Sequence, residues 1–98
     1  MLSDFLIWAR VRVVEIQRAG FDAALTIGVA TSNSSARIDV EDERCLGRIT
    51  VWDAGSFNME IIDGESGSAI FSRHADFSTP CNFDQLFVDF FSEFGIAL

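Results

Sequence analysis

The 98-residue sequence contains no lysine, and its negative charges far outnumber its positive ones. Fifteen acidic residues oppose seven arginines, which gives a formal net charge of −8 at pH 7. A field of this sign repels phosphate and therefore argues against direct binding to nucleic acid. It also raises the rate of encounter with a basic surface, although the same charge would serve solubility alone.

Long apolar runs are absent as well. The longest uncharged, largely apolar run, at residues 23–30, has eight residues, whereas a membrane-spanning helix needs about 20. The N-terminal segment carries Asp4 where a signal peptide would be basic, and Arg10 and Arg12 interrupt the apolar residues that follow. We therefore expect no membrane association and a location in the cytoplasm.

Residues that commonly carry chemistry are scarce. Cys45 and Cys81 are the only cysteines, and they have neither the density of a disulfide framework nor the spacing of a zinc site. His74, the single histidine, has no nucleophile identifiable beside it. We expect two free thiols, no metal and no cofactor.

Two short segments could in principle bind a ligand. The glycine-containing segment 64–67 lies between two expected strands rather than at the start of a helix, where phosphate-binding loops lie. The acidic residues 41–43, and Asp63 with Glu65, do not match the spacing of a calcium loop. The sequence therefore predicts a turn and solvated acidic loops, in a protein that is not an enzyme.

Apolar residues are present in the amount that one core needs. They make up 49% of the chain, with ten phenylalanines, and the length fits a single domain over residues 1–98. Residues 3–19 have the period of an amphipathic helix, with Gly20 suited to the position after its last turn. Its core-facing stripe is Leu2, Phe5, Leu6, Ala9, Val13 and Ile16. Another side carries Ile7, Val11 and Val14, which would form a second contact surface.

A sheet is predicted in the middle of the chain. Alternating polarity and turn residues indicate four or five strands, within residues 22–31, 37–41, 48–52, 57–62 and 69–74. Short hairpin connections make this sheet an antiparallel meander. The last of these strands is expected at an edge, because Arg73 and His74 weaken its apolar character.

A second helix is predicted to follow Pro80. It would begin either with this proline at the first helical position or with Asn82 as the N-cap. Its core-facing stripe is Phe83, Leu86, Phe87, Phe90 and Phe94. The sequence therefore predicts an α+β fold: an N-terminal helix, a four- to five-stranded antiparallel meander sheet and a C-terminal helix, with both helices on one sheet face.

The uncovered face of such a sheet is the natural docking surface. Trp52 would lie on it, either covered by a chain terminus or serving as the anchor for a partner. The acidic residues around it would supply complementary charge for an arginine- or lysine-rich partner. The predicted partner-binding residues are Trp52, Arg48, Glu60, Asp53, Ile62, Glu41, Asp42 and Glu43.

Three segments of the sequence, RIDVE at 37–41, GRITVWDAG at 47–55 and MEIIDGESG at 59–67, resemble the TriTu family of bacterial immunity proteins. That family also has an amphipathic helix before and after this strand region. The resemblance implies an antidote protein encoded beside a contact-dependent growth inhibition (CDI) toxin, which binds the C-terminal domain of the toxin in the cytoplasm and blocks it. Related toxins resemble nucleases that cleave tRNA with help from elongation factor Tu, so that factor would be met only through the toxin.

Two other functions fit parts of the sequence. Secretion chaperones are also small, acidic α/β proteins that hold a segment of a partner. They are usually dimers, and the surface formed by Ile7, Val11 and Val14 could serve such a dimer. A small enzyme is the third hypothesis, and it would need a pocket with convergent polar groups.

Overall fold

The fold was determined as a computed structural model that describes residues 2–28 and 33–97. The predicted first strand extends into residues 29–32, which lie outside the described residues. An N-terminal helix, five consecutive strands and a C-terminal helical region follow one another in the predicted order, and the fold is α+β. The elements are α1 (Leu2–Arg18), β1 (Asp22–Ile27), β2 (Ser35–Glu41), β3 (Cys45–Trp52), β4 (Ser56–Asp63), β5 (Ala69–Asp76), α2 (Phe83–Leu86) and α3 (Val88–Phe94).

The five strands form one antiparallel sheet in the order β1-β2-β3-β4-β5. Each strand pairs with the next one in sequence, because short connections favour antiparallel neighbours. The predicted meander is therefore confirmed with five strands. β5 lies at one edge, as expected, and β1 lies at the other.

The three helices pack on the same sheet face. The core joins α1, the sheet, α2 and α3 in one cluster. Its largest fully buried side chains include Phe5 from α1, Phe57 and Met59 from β4, and Phe90 from α3. The predicted helical stripes are largely confirmed, and Leu6 and Leu86 are only partly buried at the margin of the cluster.

α3 packs closely on the sheet at Gly47 of β3. A Cβ atom at this position would lie 2.5 Å from Cε2 of Phe94 and 2.7 Å from Cζ of Phe90. Both rings are buried, so the missing side chain gives them the room they occupy. Glycine in this strand is therefore required by close packing.

The predicted single C-terminal helix is broken in two, which corrects the sequence-based expectation. Phe87 lies between α2 and α3 with φ −105° and ψ 13°. Its fully buried ring makes edge contacts with Phe5 of α1 and Phe57 of β4, so tertiary packing sets the direction of the chain there. The start is at Asn82, whose side chain accepts a hydrogen bond from the Gln85 N–H at 3.2 Å. The alternative start at Pro80 is wrong, because the helix begins only at Phe83.

A polar clamp ties α1 to α2. Asp84 Oδ1 accepts hydrogen bonds from Trp8 Nε1 at 2.8 Å and from Arg12 Nε at 2.7 Å, and Asp84 Oδ2 accepts one from Arg12 Nη2 at 2.6 Å. The hydrogen bonds from Arg12, more than the one from Trp8, lower the pKa of Asp84. The same contact raises the pKa of Arg12.

Cys45 and Cys81 are free and half-buried, which confirms the expectation of two free thiols. Burial raises the pKa of the Cys81 thiol, and the charge of Asp4 adds to this shift. The neutral thiol is therefore favoured at pH 7, and its reactivity is low. Within residues 2–28 and 33–97, none of the helices has the length and apolar character that a bilayer crossing requires.

Candidate functional site

The sheet face opposite the helices, called the open face below, is built by strand alternation. Successive side chains point to opposite faces, and cross-strand partners share a face. Arg48 of β3 is paired with Asp39 of β2 and with Glu60 of β4. The open face therefore presents Asp22, Ala24, Thr26, Arg37, Asp39, Glu41, Leu46, Arg48, Thr50, Trp52, Asn58, Glu60, Ile62, Ser72 and His74.

The two arginines of the open face share a single acidic partner. Asp39 accepts a hydrogen bond from Arg48 Nε at 2.7 Å and another from Arg37 Nε at 3.2 Å. Glu60 lies directly across from Arg48, yet in the described part of the chain its carboxylate makes no ion pair. The positive charge on this face is thus already engaged, and the charge left for a partner is negative.

Glu41, Glu43 and Asp22 extend this unpaired negative charge around the β2–β3 end of the sheet. Among residues 2–28 and 33–97 none of the three forms a salt bridge. Asp42 differs, because its Oδ1 accepts hydrogen bonds from the N–H groups of Arg44 and Cys45, both at 2.8 Å. Asp42 therefore shapes the turn, while its neighbours are free to meet a basic group.

Four of the predicted residues line one depression of about 800 Å³. They are Arg48, Glu60, Ile62 and Glu41. Leu46, which is 41% exposed, lies between Glu41 and Ile62 in the cross-strand row and adds apolar surface. A neighbouring hollow of about 600 Å³ is lined in part by Glu41, Asp42 and Glu43.

Leu46 and Asp22 were missed by the sequence reasoning. Leu46 could have been found by extending the alternation of residues 48–52 backwards by two positions, which places it on the face of Arg48. Asp22 could not, because its place beside Glu41 depends on the β1–β2 register. A shift of one residue would send its side chain to the opposite face.

Trp52 lies on the open face but away from the depression. Leu46 and Trp52 are six residues apart in β3, which is about 20 Å at strand spacing. The indole is half-buried and meets the His74 ring edge-on, with 6.4 Å between centroids. His74 is thus placed beside an aromatic ring, and Trp52 keeps an accessible surface.

Asp53 is separated from the other predicted residues by its position in the β3–β4 turn. Its Oδ1 accepts a hydrogen bond from the Leu2 N–H at 3.0 Å, at the first residue of α1. A carboxylate here satisfies a free N–H group of the helix and interacts favourably with the helix dipole. The predicted set therefore divides into the depression, the β2–β3 turn and the region around Trp52.

Metal binding and catalysis would need groups of side chains beyond those of the open face. Within the ranges 2–28 and 33–97, no three histidine, cysteine, aspartate or glutamate side chains are grouped so as to hold a metal ion. Asp63 is engaged in its own turn, where hydrogen bonds from the Ser66 hydroxyl and N–H lower its pKa. The open face is thus a charged and partly apolar surface, suited to contact with a macromolecule.

Comparison with known proteins supplies the family. The model of the family described as immunity protein TriTu matches residues 3–93, a range that runs from the first turn of α1 to the last turn of α3. No curated protein matches the chain. The resemblance carried by the three strand-and-turn segments is confirmed, and it extends over both helical regions. The chain belongs to the TriTu family of immunity proteins.

Proposed function

We propose that this protein is the immunity protein of a CDI system and binds the C-terminal toxin domain encoded by the adjacent gene. Family membership across residues 3–93 is the observation that carries the proposal. The protein would act in the cytoplasm by direct contact and without catalysis. It would meet elongation factor Tu only through the toxin.

The charge of the open face supports a nuclease as the target. A nuclease that cleaves tRNA must be basic where it holds RNA. Glu60, Glu41 and Asp22 present carboxylates that have no ion-pair partner among the described residues, beside the apolar surface of Leu46 and Ile62. We propose that this surface and Trp52 bind the basic region of the toxin, so that carboxylates take the place of phosphates.

Growth of a bacterial host tests the function. The toxin domain from the adjacent gene is induced alone, together with this protein, or together with an immunity protein from an unrelated toxin pair. We expect growth arrest in the first and third cultures and normal growth in the second. Arrest in all three would contradict the immunity function.

The oligomeric state of the free protein distinguishes the immunity function from the secretion-chaperone hypothesis. Ile7, Val11 and Val14 are 66%, 56% and 43% exposed on α1, and this row is the feature that a chaperone dimer would use. We expect light scattering to give the mass of a monomer for the free protein and a one-to-one mass with the toxin domain. A stable dimer that binds the toxin without neutralising it would favour the chaperone.

A further inference from the structure

The two edges of the sheet differ in how well they are protected. An edge strand presents unpaired N–H and C=O groups that can pair with another strand. The direction of these groups in β1 follows from one hydrogen bond, Gly28 N–H to Ser35 O at 2.8 Å, which continues the β1–β2 register. In an antiparallel pair, every second residue of a strand bonds to the neighbouring strand, so the residues two, four and six positions before Gly28 bond to β2. The backbone N–H and C=O groups of Ala23, Leu25 and Ile27, which lie between those residues, therefore point outwards.

Part of this outer edge is already occupied. Gln17 Nε2 of α1 donates a hydrogen bond to Ala23 O at 2.8 Å, which independently supports the outward direction. The outward N–H and C=O groups of Leu25 and Ile27 have no partner in the part of the chain that the structure describes. Ile27 is 54% exposed, and no charged residue lies between Asp22 and Gly28.

β5 is protected by contrast. The hydrogen bond from Phe77 N–H to Gly55 O continues the β4–β5 register, so Ser72 and His74 direct their backbone groups outwards. The register shifts between Ile61 and Ile62, which makes this edge irregular. Natural proteins use such irregularities and charged residues to prevent strand pairing. β1 has no such register shift, and its one charged residue, Asp22, lies at its first position.

We propose that β1 receives an extended segment of the toxin as a sixth strand. This proposal rests on the immunity function proposed above. The toxin segment would pair with Leu25 and Ile27 and carry lysine or arginine at alternate positions, beside Asp22 on the open face. Binding of this kind draws affinity from main-chain hydrogen bonds and specificity from alternate side chains.

The net negative charge of the chain favours the toxin over a second copy of this chain as the partner of β1. Each copy carries a net charge of −8, and Asp22 and Glu41 lie at the start of the β1–β2 pair without ion-pair partners in the described ranges. A second copy would bring the same negative field to this edge. A basic segment would neutralise it.

Amide hydrogen exchange reports directly whether the outward N–H groups of β1 are hydrogen-bonded. The probe is the toxin domain from the adjacent gene, in a catalytically inactive variant, mixed one-to-one with this protein. We expect the Leu25 and Ile27 amides to exchange rapidly in the free protein and at least tenfold more slowly in the complex, with the outward Ser72 amide of β5 unchanged. A complex that leaves Leu25 and Ile27 unprotected would overturn the strand proposal and leave the immunity function standing. Failure to form any complex would overturn both.

Proline substitution separates strand pairing from mere coverage of the edge. Ile27→Pro removes one outward N–H and keeps the hydrogen bonds from β1 to β2. Ser72→Pro is the matched control on the outer edge of β5, at a residue that makes no ring contact with Trp52. We expect Ile27→Pro to weaken toxin binding roughly tenfold or more and the control to leave it unchanged.

Equal affinities for folded Ile27→Pro and wild-type protein would overturn the pairing. If Ile27→Pro does not fold by circular dichroism, the exchange measurement on wild-type protein decides the question. Protection of Leu25 and Ile27 in the free protein, together with a dimer mass by light scattering, would also overturn the proposal. That result would identify a second copy as the occupant.

Discussion

At the scale of the residue, Gly47 shows how tightly α3 packs on the sheet. A methyl group there would collide with the buried rings of Phe90 and Phe94. Gly47→Ala is expected to lower the free energy of unfolding by about 1–3 kcal/mol, the usual cost of overpacking a core. Urea denaturation measures this loss. Leu46→Ala, on the open face beside it, should cost less, and an unchanged midpoint for Gly47→Ala would contradict the packing account.

Substitutions of Trp52 and Glu60 test the proposed toxin-binding surface. Trp52→Ala removes an aromatic side chain of the kind that dominates interfaces. Glu60→Lys reverses a charge opposite Arg48 that forms no ion pair within the described part of the chain. Each is expected to weaken toxin binding roughly tenfold or more, without loss of fold. Calorimetric titration measures the dissociation constants.

The control for Glu60→Lys is Glu65→Lys in the exposed β4–β5 turn. It makes the same change in net charge away from the open face. We expect it to leave the dissociation constant nearly unchanged. Unchanged affinity in both Trp52→Ala and Glu60→Lys would move the interface elsewhere, first to the Glu41–Glu43 turn.

At the scale of the element, the clamp between α1 and α2 gives a pH prediction. Arg12 and Trp8 stabilise ionised Asp84 and lower its pKa. The clamp therefore adds stability above the unfolded-state pKa of about 3.9, and this stability is lost as the pH falls through the lower folded-state value. Asp84→Asn is expected to cost about 1 kcal/mol at neutral pH, because the pair is partly exposed.

Urea denaturation at neutral and acidic pH measures the effect of Asp84→Asn. The difference from wild type should shrink as the pH falls below about 4. Asp89→Asn is the control, since its partner Arg73 forms a more exposed pair at 2.9 Å, and it should cost less. A difference for Asp84→Asn that is constant across the same pH range would contradict the role of the ionised clamp.

Element boundaries show what local sequence can determine. The 3.6-residue period predicts α1, and strand alternation predicts the side chains of the open face. The break at Phe87 could not be predicted, since neither glycine nor proline lies between Phe83 and Phe94. The Phe87 ring contacts Phe5 and Phe57, which are remote in sequence, so the break depends on tertiary packing. The outward direction of the Leu25 backbone N–H and C=O groups likewise could not be predicted, because it depends on how β1 pairs with β2.

At the scale of the whole molecule, negative charge should accelerate encounter with a basic toxin. Long-range attraction between exposed charges is screened by salt. We expect the association rate constant to fall about tenfold or more between roughly 0.01 M and 0.5 M salt, while the dissociation rate changes less. Stopped-flow measurements over this range give both constants. An association rate independent of salt would contradict electrostatic steering by the open face.

Direct titration of the purified partners tests the central claim, that the chain is the immunity partner of the toxin from the adjacent gene. Isothermal titration calorimetry with the inactive toxin domain is expected to give one site per chain and a dissociation constant at or below about 10 nM, within the range of tight specific interfaces. A toxin domain from an unrelated system should not bind. A dissociation constant above about 10 μM would correspond to a binding free energy about 4 kcal/mol weaker than expected. Absence of binding to the adjacent toxin at that concentration would contradict the claim.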